Sequence, residues 1–173
     1  MSREGVLWIT TWSGNIYRVD PFHHNIGHNS TGSIVDAIHE DRSGILWVGT
    51  FLGEGLLRID RANGSLKKYL NESPPDRFFD SWITAFYEGM DDTLWIGSDK
   101  GLYLFDRKKQ TIKKYYKNDP KDGNSISKGL VATIIEDQPG SLWIATDGGL
   151  DQLNIKTGAF KHFRNSSNES DST

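Results

Sequence analysis

The sequence has no cysteine among its 173 residues. A disulfide framework, a thiolate zinc site and a cysteine nucleophile are therefore excluded. No apolar run approaches the roughly 18 residues that read as a membrane-spanning helix, and the N-terminus carries no apolar signal segment. Lys and Arg number 20 against 23 Asp and Glu, for a formal net charge of −3. Since this is not the basic footprint of a nucleic-acid binder, we expect no nucleic-acid partner and no membrane contact by this segment.

Proline is also scarce, with only five residues, whereas glycine and aromatic residues are abundant. The 18 glycines are about 10% of the chain against a usual 7%. Aromatic residues make up 12%, and six of them are tryptophan. This composition is typical of short strands joined by tight turns, which predicts an all-β protein.

A Leu-Trp pair occurs four times, and its tryptophans are spaced by 39, 48 and 48 residues. Each of the last three copies divides into four strand-like pieces that are separated by turns containing glycine or aspartate. Four antiparallel strands repeated around a tryptophan are typical of a β-propeller blade. We therefore predict about three full blades and a partial first blade, which has the second, third and fourth strands only. The predicted blades cover about residues 4–28 (partial), 33–70, 81–117 and 129–164, and a polar tail covers 165–173.

Two residue classes recur at fixed positions of the repeat. The same position of the second strand is occupied by Trp47, Trp95 and Trp143. We interpret these tryptophans as buried wedges between blades. The fourth strand is outermost in a blade, and its charges would block pairing with another sheet edge. These charges are carried by Lys67, Lys68, Lys113, Lys114, Lys161 and His162.

The repeated unit E-D-x-x-G-x-L-W-I-G-T-x-x-G-L, followed by F-D, a glycine turn and an F-K-x-Y strand, resembles the two-component regulator propeller repeat. The linker from Tyr116 to Ser127 matches best, while the turn Gly89–Asp92 and an insertion at Phe51–Gly55 depart from the pattern. The resemblance implies a non-catalytic sensor in the periplasmic, extracytoplasmic part of a membrane-anchored hybrid histidine kinase. Such receptors typically sense oligosaccharides. The repeat encodes the scaffold, so no ligand residue follows from the resemblance.

No known catalytic motif is present, and we predict neither an enzyme nor a cofactor. Carboxylate pairs occur at Glu40-Asp41, Asp91-Asp92 and Glu136-Asp137. Because they recur at equivalent positions, we interpret them as turn caps of the scaffold. A propeller lyase remains an alternative, but it needs a His or Tyr base near a metal in the central channel. Only His39 lies on a first, channel-lining strand.

Two polar segments could hold a metal ion, although we predict none. A first cluster consists of His23, His24 and His28, with Asp20 or Asp36 nearby. Its spacing does not direct two imidazoles at one ion, which favours a solvated loop. A second group consists of Asp119, Asp122 and Asn124. Their order is not that of a calcium-binding loop, which favours a turn-forming linker.

The loops between second and third strands, and the linkers between blades, open on one common face of a propeller. Here they are variable where the strands are repetitive. Saccharide sites combine an aromatic platform with a few polar groups. The candidate ligand-binding residues are therefore Trp12, Arg77, Phe78, Phe79, Asp80 and Trp82. In the alternative interpretation, Phe78 or Phe79 fills the gap between two blades.

The expected function is a sensing or binding segment for an oligosaccharide or another small ligand. A propeller scaffold for protein–protein interaction is the alternative. The predicted blades are fewer than most closed propellers contain. We therefore expect further propeller blades, or a homo-oligomer, to complete the ring.

Overall fold

A computed structural model describes residues 6–20, 25–51, 55–60, 65–69 and 81–164. Their regular structure consists of 15 strands. Within these ranges no helix is long and apolar enough to cross a membrane. The chain divides into two compact units, Met1–Glu88 and Gly89–Thr173.

The strands form one three-stranded sheet and three four-stranded sheets, and in each sheet consecutive strands are neighbours. The first sheet contains β1 (Leu7–Thr10), β2 (Asn15–Asp20) and β3 (Asn25–Ser30). The second contains β4 (Val35–Glu40), β5 (Ile45–Thr50), β6 (Leu56–Asp60) and β7 (Leu66–Tyr69). The third contains β8 (Ile83–Glu88), β9 (Thr93–Ser98), β10 (Gly101–Asp106) and β11 (Thr111–Tyr116). The fourth contains β12 (Val131–Gln138), β13 (Ser141–Thr146), β14 (Gly149–Asn154) and β15 (Ala159–Phe163).

This arrangement confirms the predicted blades of four antiparallel strands and the partial first blade. The turns between first and second strands need a positive φ where glycine stands, at Gly44 (82°) and Gly140 (87°). Glycine adopts this conformation at little cost, because it has no Cβ. The turns therefore explain the glycine of the E-D-x-x-G motif.

The first unit has a core to which two sheets contribute. The core cluster consists of Ile16 from the first sheet and Val35, Leu46, Val48, Leu57 and Ile59 from the second, with Trp8 and Ile38 packed against it. Where β5 approaches β8, a Cβ on Gly49 would overlap the side chain of Ile83 and lie 2.9 Å from the Ile83 carbonyl oxygen. The glycine of the L-W-I-G-T motif is therefore required by close packing.

The predicted wedges are buried in two of three cases. Trp47 and Trp95 are each 2% exposed, but Trp143 is only partly buried. Trp143 packs on Phe163 of its own sheet, with 5.0 Å between ring centroids. Trp143 lies in the fourth sheet, which is the last one described, so no following described sheet covers its ring. The prediction of a buried wedge is wrong for Trp143 for this reason.

The outermost strands carry a lysine two residues before an aromatic ring, on the same face of the strand. The Nζ atom lies over the ring in Lys67–Tyr69 (4.9 Å), Lys114–Tyr116 (4.5 Å) and Lys161–Phe163 (4.9 Å). All the predicted edge lysines are exposed. His162 differs, because its ring is engaged with a buried carboxylate.

Candidate functional site

The recurring Asp of the carboxylate pairs caps its own turn. Asp41 is 6% exposed, and its Oδ1 accepts hydrogen bonds from Ser43 N (2.9 Å), Ser43 Oγ (2.6 Å) and Ile45 N (3.1 Å). Its Oδ2 accepts the indole N–H of Trp47 at 2.8 Å. Asp137 accepts the indole N–H of Trp143 at the same distance. Asp41 and Asp137 therefore serve the scaffold, as predicted.

A glutamate lies at or near the end of the first strand of each full blade. In the first unit, Glu40 and Glu88 bind groups outside their own turns. Glu40 accepts the indole N–H of Trp8 at 2.9 Å. Both carboxylate oxygens of Glu88 lie 3.2 Å from the backbone N of Arg42. Glu88 also lies 3.7 Å from Nε2 of His39, whose ring packs on Phe86. His39 therefore packs beside a structural carboxylate.

A Ser-His-Asp group in the second unit contains the three residue types of a catalytic triad, but its hydrogen bonds are arranged differently. Asp151 is fully buried and accepts hydrogen bonds from Ser127 N, Ser127 Oγ and His162 Nδ1, each at 2.7 Å. His162 Nε2 lies 3.0 Å from the carbonyl oxygen of Gly123. Because the serine hydroxyl donates to the aspartate, no base activates it as a nucleophile. The group instead anchors the linker to β14 and β15.

The two polar segments considered for metal binding are engaged in local hydrogen bonds where they are described. Asp119 Oδ1 accepts the backbone N–H of Lys121, and Asp122 Oδ1 accepts that of Asn124, both at 2.9 Å. His28 Nε2 lies 2.9 Å from Asn15 Oδ1. His23 and His24 lie outside the described residues.

In the first unit, the turns between second and third strands meet the linkers between sheets at one edge, here called the linker edge. It comprises the turn 11–14, residue 51 and the linker residues 31–34 and 81–82. Thr31 donates to the carbonyl oxygen of Gly14 from its N (2.9 Å) and its Oγ1 (3.0 Å). Ser33 Oγ donates to the carbonyl oxygen of Phe51 at 2.9 Å. The linker therefore joins the turns of the first two sheets.

Three side chains converge at this edge. The rings of Phe51 and Trp82 meet edge to face, with 4.8 Å between centroids. The indole N–H of Trp82 donates to the Oδ2 of Asp36. Asp36 is exposed and Trp82 is partly buried. The cluster thus combines two aromatic rings with a solvent-accessible carboxylate.

All three residues depart from the repeat. Trp82 stands where the other units have Ile34 and Leu130, and Asp36 stands where they have Thr84 and Ala132. Phe51 stands where they have Trp12, Asp99 and Asp147. In the fourth sheet, Asp147 Oδ2 accepts the linker N–H of Leu130 at 2.9 Å. A phenylalanine side chain cannot accept this bond, so Phe51 does not play the structural role that Asp147 plays.

The structure describes two of the six predicted ligand-binding residues. Trp82 lies in the cluster, with Phe51 and Asp36 beside it. Trp12 is 86% exposed at the tip of its turn. The remaining four candidates, Arg77, Phe78, Phe79 and Asp80, lie outside the described residues. Asp36 was named only as a possible metal ligand and not as a saccharide-binding residue, although it is the only acidic residue at this position of the three units.

The fold is shared with solved propeller structures. An extracellular domain of a one-component system from B. thetaiotaomicron matches with a TM-score of 0.77 and 19% identity, over 98% of this chain and 22% of that chain. An extracellular domain of a hybrid two-component system from the same organism matches with a TM-score of 0.72 and 19% identity, over 95% and 24%. Virginiamycin B lyase from Staphylococcus aureus matches with a TM-score of 0.73 and 18% identity, over 97% and 55%. At these identities the likeness shows the fold alone, a β-propeller.

The chain thus spans about a quarter of the length of the two extracellular domains. No curated protein matches the sequence at a significant level. Residues 29–51 match the model of the two component regulator propeller. This segment includes the first strand, the E-D-x-x-G turn and the L-W strand that recur in the later units. The chain therefore contains a segment that matches the two component regulator propeller repeat, at residues 29–51, and its later units repeat the same sequence pattern.

Proposed function

We propose that the chain is a non-catalytic, ligand-sensing segment of an extracytoplasmic two-component receptor and that it recognises oligosaccharides at the linker edge of the first unit. The observation that carries this proposal is the convergence of Asp36, Phe51 and Trp82. Each departs from the repeat, and each meets another of the three. A scaffold alone requires none of these substitutions.

The chemistry of the cluster suits a sugar. The apolar face of a pyranose ring packs on an aromatic ring, and the sugar hydroxyls donate to a carboxylate. Trp82 and Phe51 supply the rings, and Asp36 supplies the acceptor. The bond from the Trp82 indole fixes the carboxylate relative to the ring, so both groups are positioned before a ligand binds.

A sensing role is also supported by the uses of the other reactive groups. The recurring carboxylates cap turns, and Ser127 donates to Asp151 instead of accepting help from a base. His39, which a lyase mechanism would require near a metal, packs on Phe86 beside Glu88. The extracytoplasmic location is supported by the fold shared with the extracellular domains.

A thermal-shift screen of the whole chain against a saccharide library tests the proposal. A ligand at 100 times its Kd adds about 2.7 kcal/mol to the free energy of unfolding. We expect at least one saccharide to raise the midpoint for the wild type and not for Asp36→Ala or Trp82→Ala. Asp99→Ala and Met90→Ala are the matched controls, since both residues are exposed and lie outside the cluster. The proposal fails if no saccharide raises the midpoint, or if both cluster variants respond like the wild type.

A further inference from the structure

Trp12 is the most exposed large hydrophobic residue of the described chain, at 86%. It occupies the tip of the turn between β1 and β2, four residues after Trp8. A single exposed apolar side chain is common on protein surfaces, so the polar groups around Trp12 decide whether it marks a binding surface. The turn is closed by a hydrogen bond from Gly14 N to the carbonyl oxygen of Thr11 at 3.0 Å.

A network of polar side chains lies beside Trp12. The hydroxyl oxygens of Thr11 and Ser13 are 2.9 Å apart, and Asn15 Nδ2 donates to Ser13 Oγ at 3.0 Å. His28 Nε2 lies 2.9 Å from Asn15 Oδ1. Among the described residues, the network contains hydroxyl, amide and imidazole groups and no Lys, Arg, Asp or Glu side chain. Such groups exchange hydrogen bonds with sugar hydroxyls in either direction.

Trp12 is also the counterpart of Phe51 in the repeat. Both residues follow the motif tryptophan by four positions, and both turns lie on the linker edge. In the two repeats of the second unit, this position is occupied by Asp99 and Asp147. Aromatic residues therefore occupy it only in the first unit. The first and second sheets share a core, and sheets that pack face to face lie about 10 Å apart. This separation is larger than the width of one pyranose ring, so one sugar cannot contact both turns.

We infer that Trp12 forms a second sugar subsite, one blade from the Asp36–Phe51–Trp82 cluster, and that the linker edge binds a neutral oligosaccharide long enough to contact both. The inference rests on the proposed function, since it extends the same site. Its first subsite positions a sugar against Trp82 and Asp36. Its second subsite stacks a later sugar of the same chain on Trp12, beside Ser13 and Asn15.

Titration calorimetry with saccharides of increasing length tests the inference. The probes are malto-, cello- and xylo-oligosaccharides from disaccharide to hexasaccharide, and oligogalacturonides of matched length serve as acidic counterparts. For the series that binds, we expect the longer members to bind about tenfold more tightly than the disaccharide, a change equivalent to about 1.4 kcal/mol. Trp12→Ala should remove this gain and leave disaccharide affinity unchanged, whereas Asp36→Ala should weaken every length. Met90→Ala, at another exposed turn residue, should behave like the wild type.

The outcomes separate the two proposals. If Trp12→Ala retains the gain with length, the second subsite is wrong while binding at the cluster stands. If the oligogalacturonides bind more tightly than every neutral series, the assignment of a neutral ligand is wrong. If no oligosaccharide of any length binds, both the subsite and the proposed function fail. Because Trp12 is exposed, a circular dichroism spectrum and unfolding midpoint equal to the wild type's should accompany its substitution.

Discussion

Replacement of Asp41 by alanine should strongly destabilise the chain, because one buried carboxylate holds both the turn and the wedge tryptophan. The carboxylate accepts three hydrogen bonds from the turn and one from the indole of Trp47. Alanine at a comparable capping position costs about 1 kcal/mol. A buried donor left without an acceptor, here the Trp47 N–H, costs a further 1–3 kcal/mol or so. We therefore expect the free energy of unfolding to fall by about 2–4 kcal/mol.

Urea denaturation monitored by circular dichroism measures this loss, provided that the slope of the transition is unchanged. Asp137→Ala is the matched control, because Asp137 makes the same bond to Trp143 at an exposed position. Its loss should be clearly smaller, since water can replace the missing acceptor. Trp47→Phe removes the indole donor, so Asp41→Ala should cost less in that background. Equal losses for Asp41→Ala and Asp137→Ala, or a loss below about 1 kcal/mol for the former, would refute this reasoning.

Three further predictions concern packing, backbone conformation and acid stability. Gly49→Ala should lower the free energy of unfolding by about 1–3 kcal/mol in urea denaturation, because the added Cβ overlaps Ile83; a neutral effect would contradict the close approach. Gln110→Gly should raise the free energy of unfolding by about 0.5–1 kcal/mol. Gln110 has a φ of 57°, and the left-handed penalty of about 1–2 kcal/mol exceeds the entropy cost of glycine. A lower unfolding midpoint for the variant would show that Gln110 is not strained. The indole N–H of Trp143 lowers the pKa of Asp137 below its ordinary value. This contribution is present above about pH 4 and is lost as the pH falls through the folded-state pKa, so the wild type should lose more stability in acid titration than Trp143→Phe does; identical acid profiles would contradict the assignment.

The repeat made most of the fold predictable, because the strands alternate with turns whose glycine and aspartate residues have local causes. The capping role of Asp41 followed from recurrence of the pair alone. The exposure of Trp143 could not be predicted from its motif, because burial of a wedge depends on a neighbouring sheet as well as on the residue. The partnership of His162 with Asp151 was missed for a related reason. His162 was interpreted as an edge charge, whereas the register of β14 and β15 places it opposite a buried carboxylate.

The candidate site was predictable in part. Trp12 and Trp82 were recognised as candidates, because aromatic residues in variable loops have no role in the repeat. Asp36 was considered only as a possible metal ligand beside the histidine cluster, and not as a saccharide-binding residue, because it lies on a repeated strand. The signal for it was present, since Thr84 and Ala132 stand at the equivalent positions.

Binding at the linker edge is tested most directly by the indole N–H signals of the six tryptophans. We would record ¹H–¹⁵N spectra of the chain during titration with the saccharide that gives the largest thermal shift and assign each signal by Trp→Phe substitution. Binding at the proposed cluster predicts the largest shift for the indole of Trp82, whose N–H donates to Asp36, and little change for the buried Trp95. Saturable binding that shifts the signal of Trp95 or Trp143 and leaves that of Trp82 in place would contradict the account.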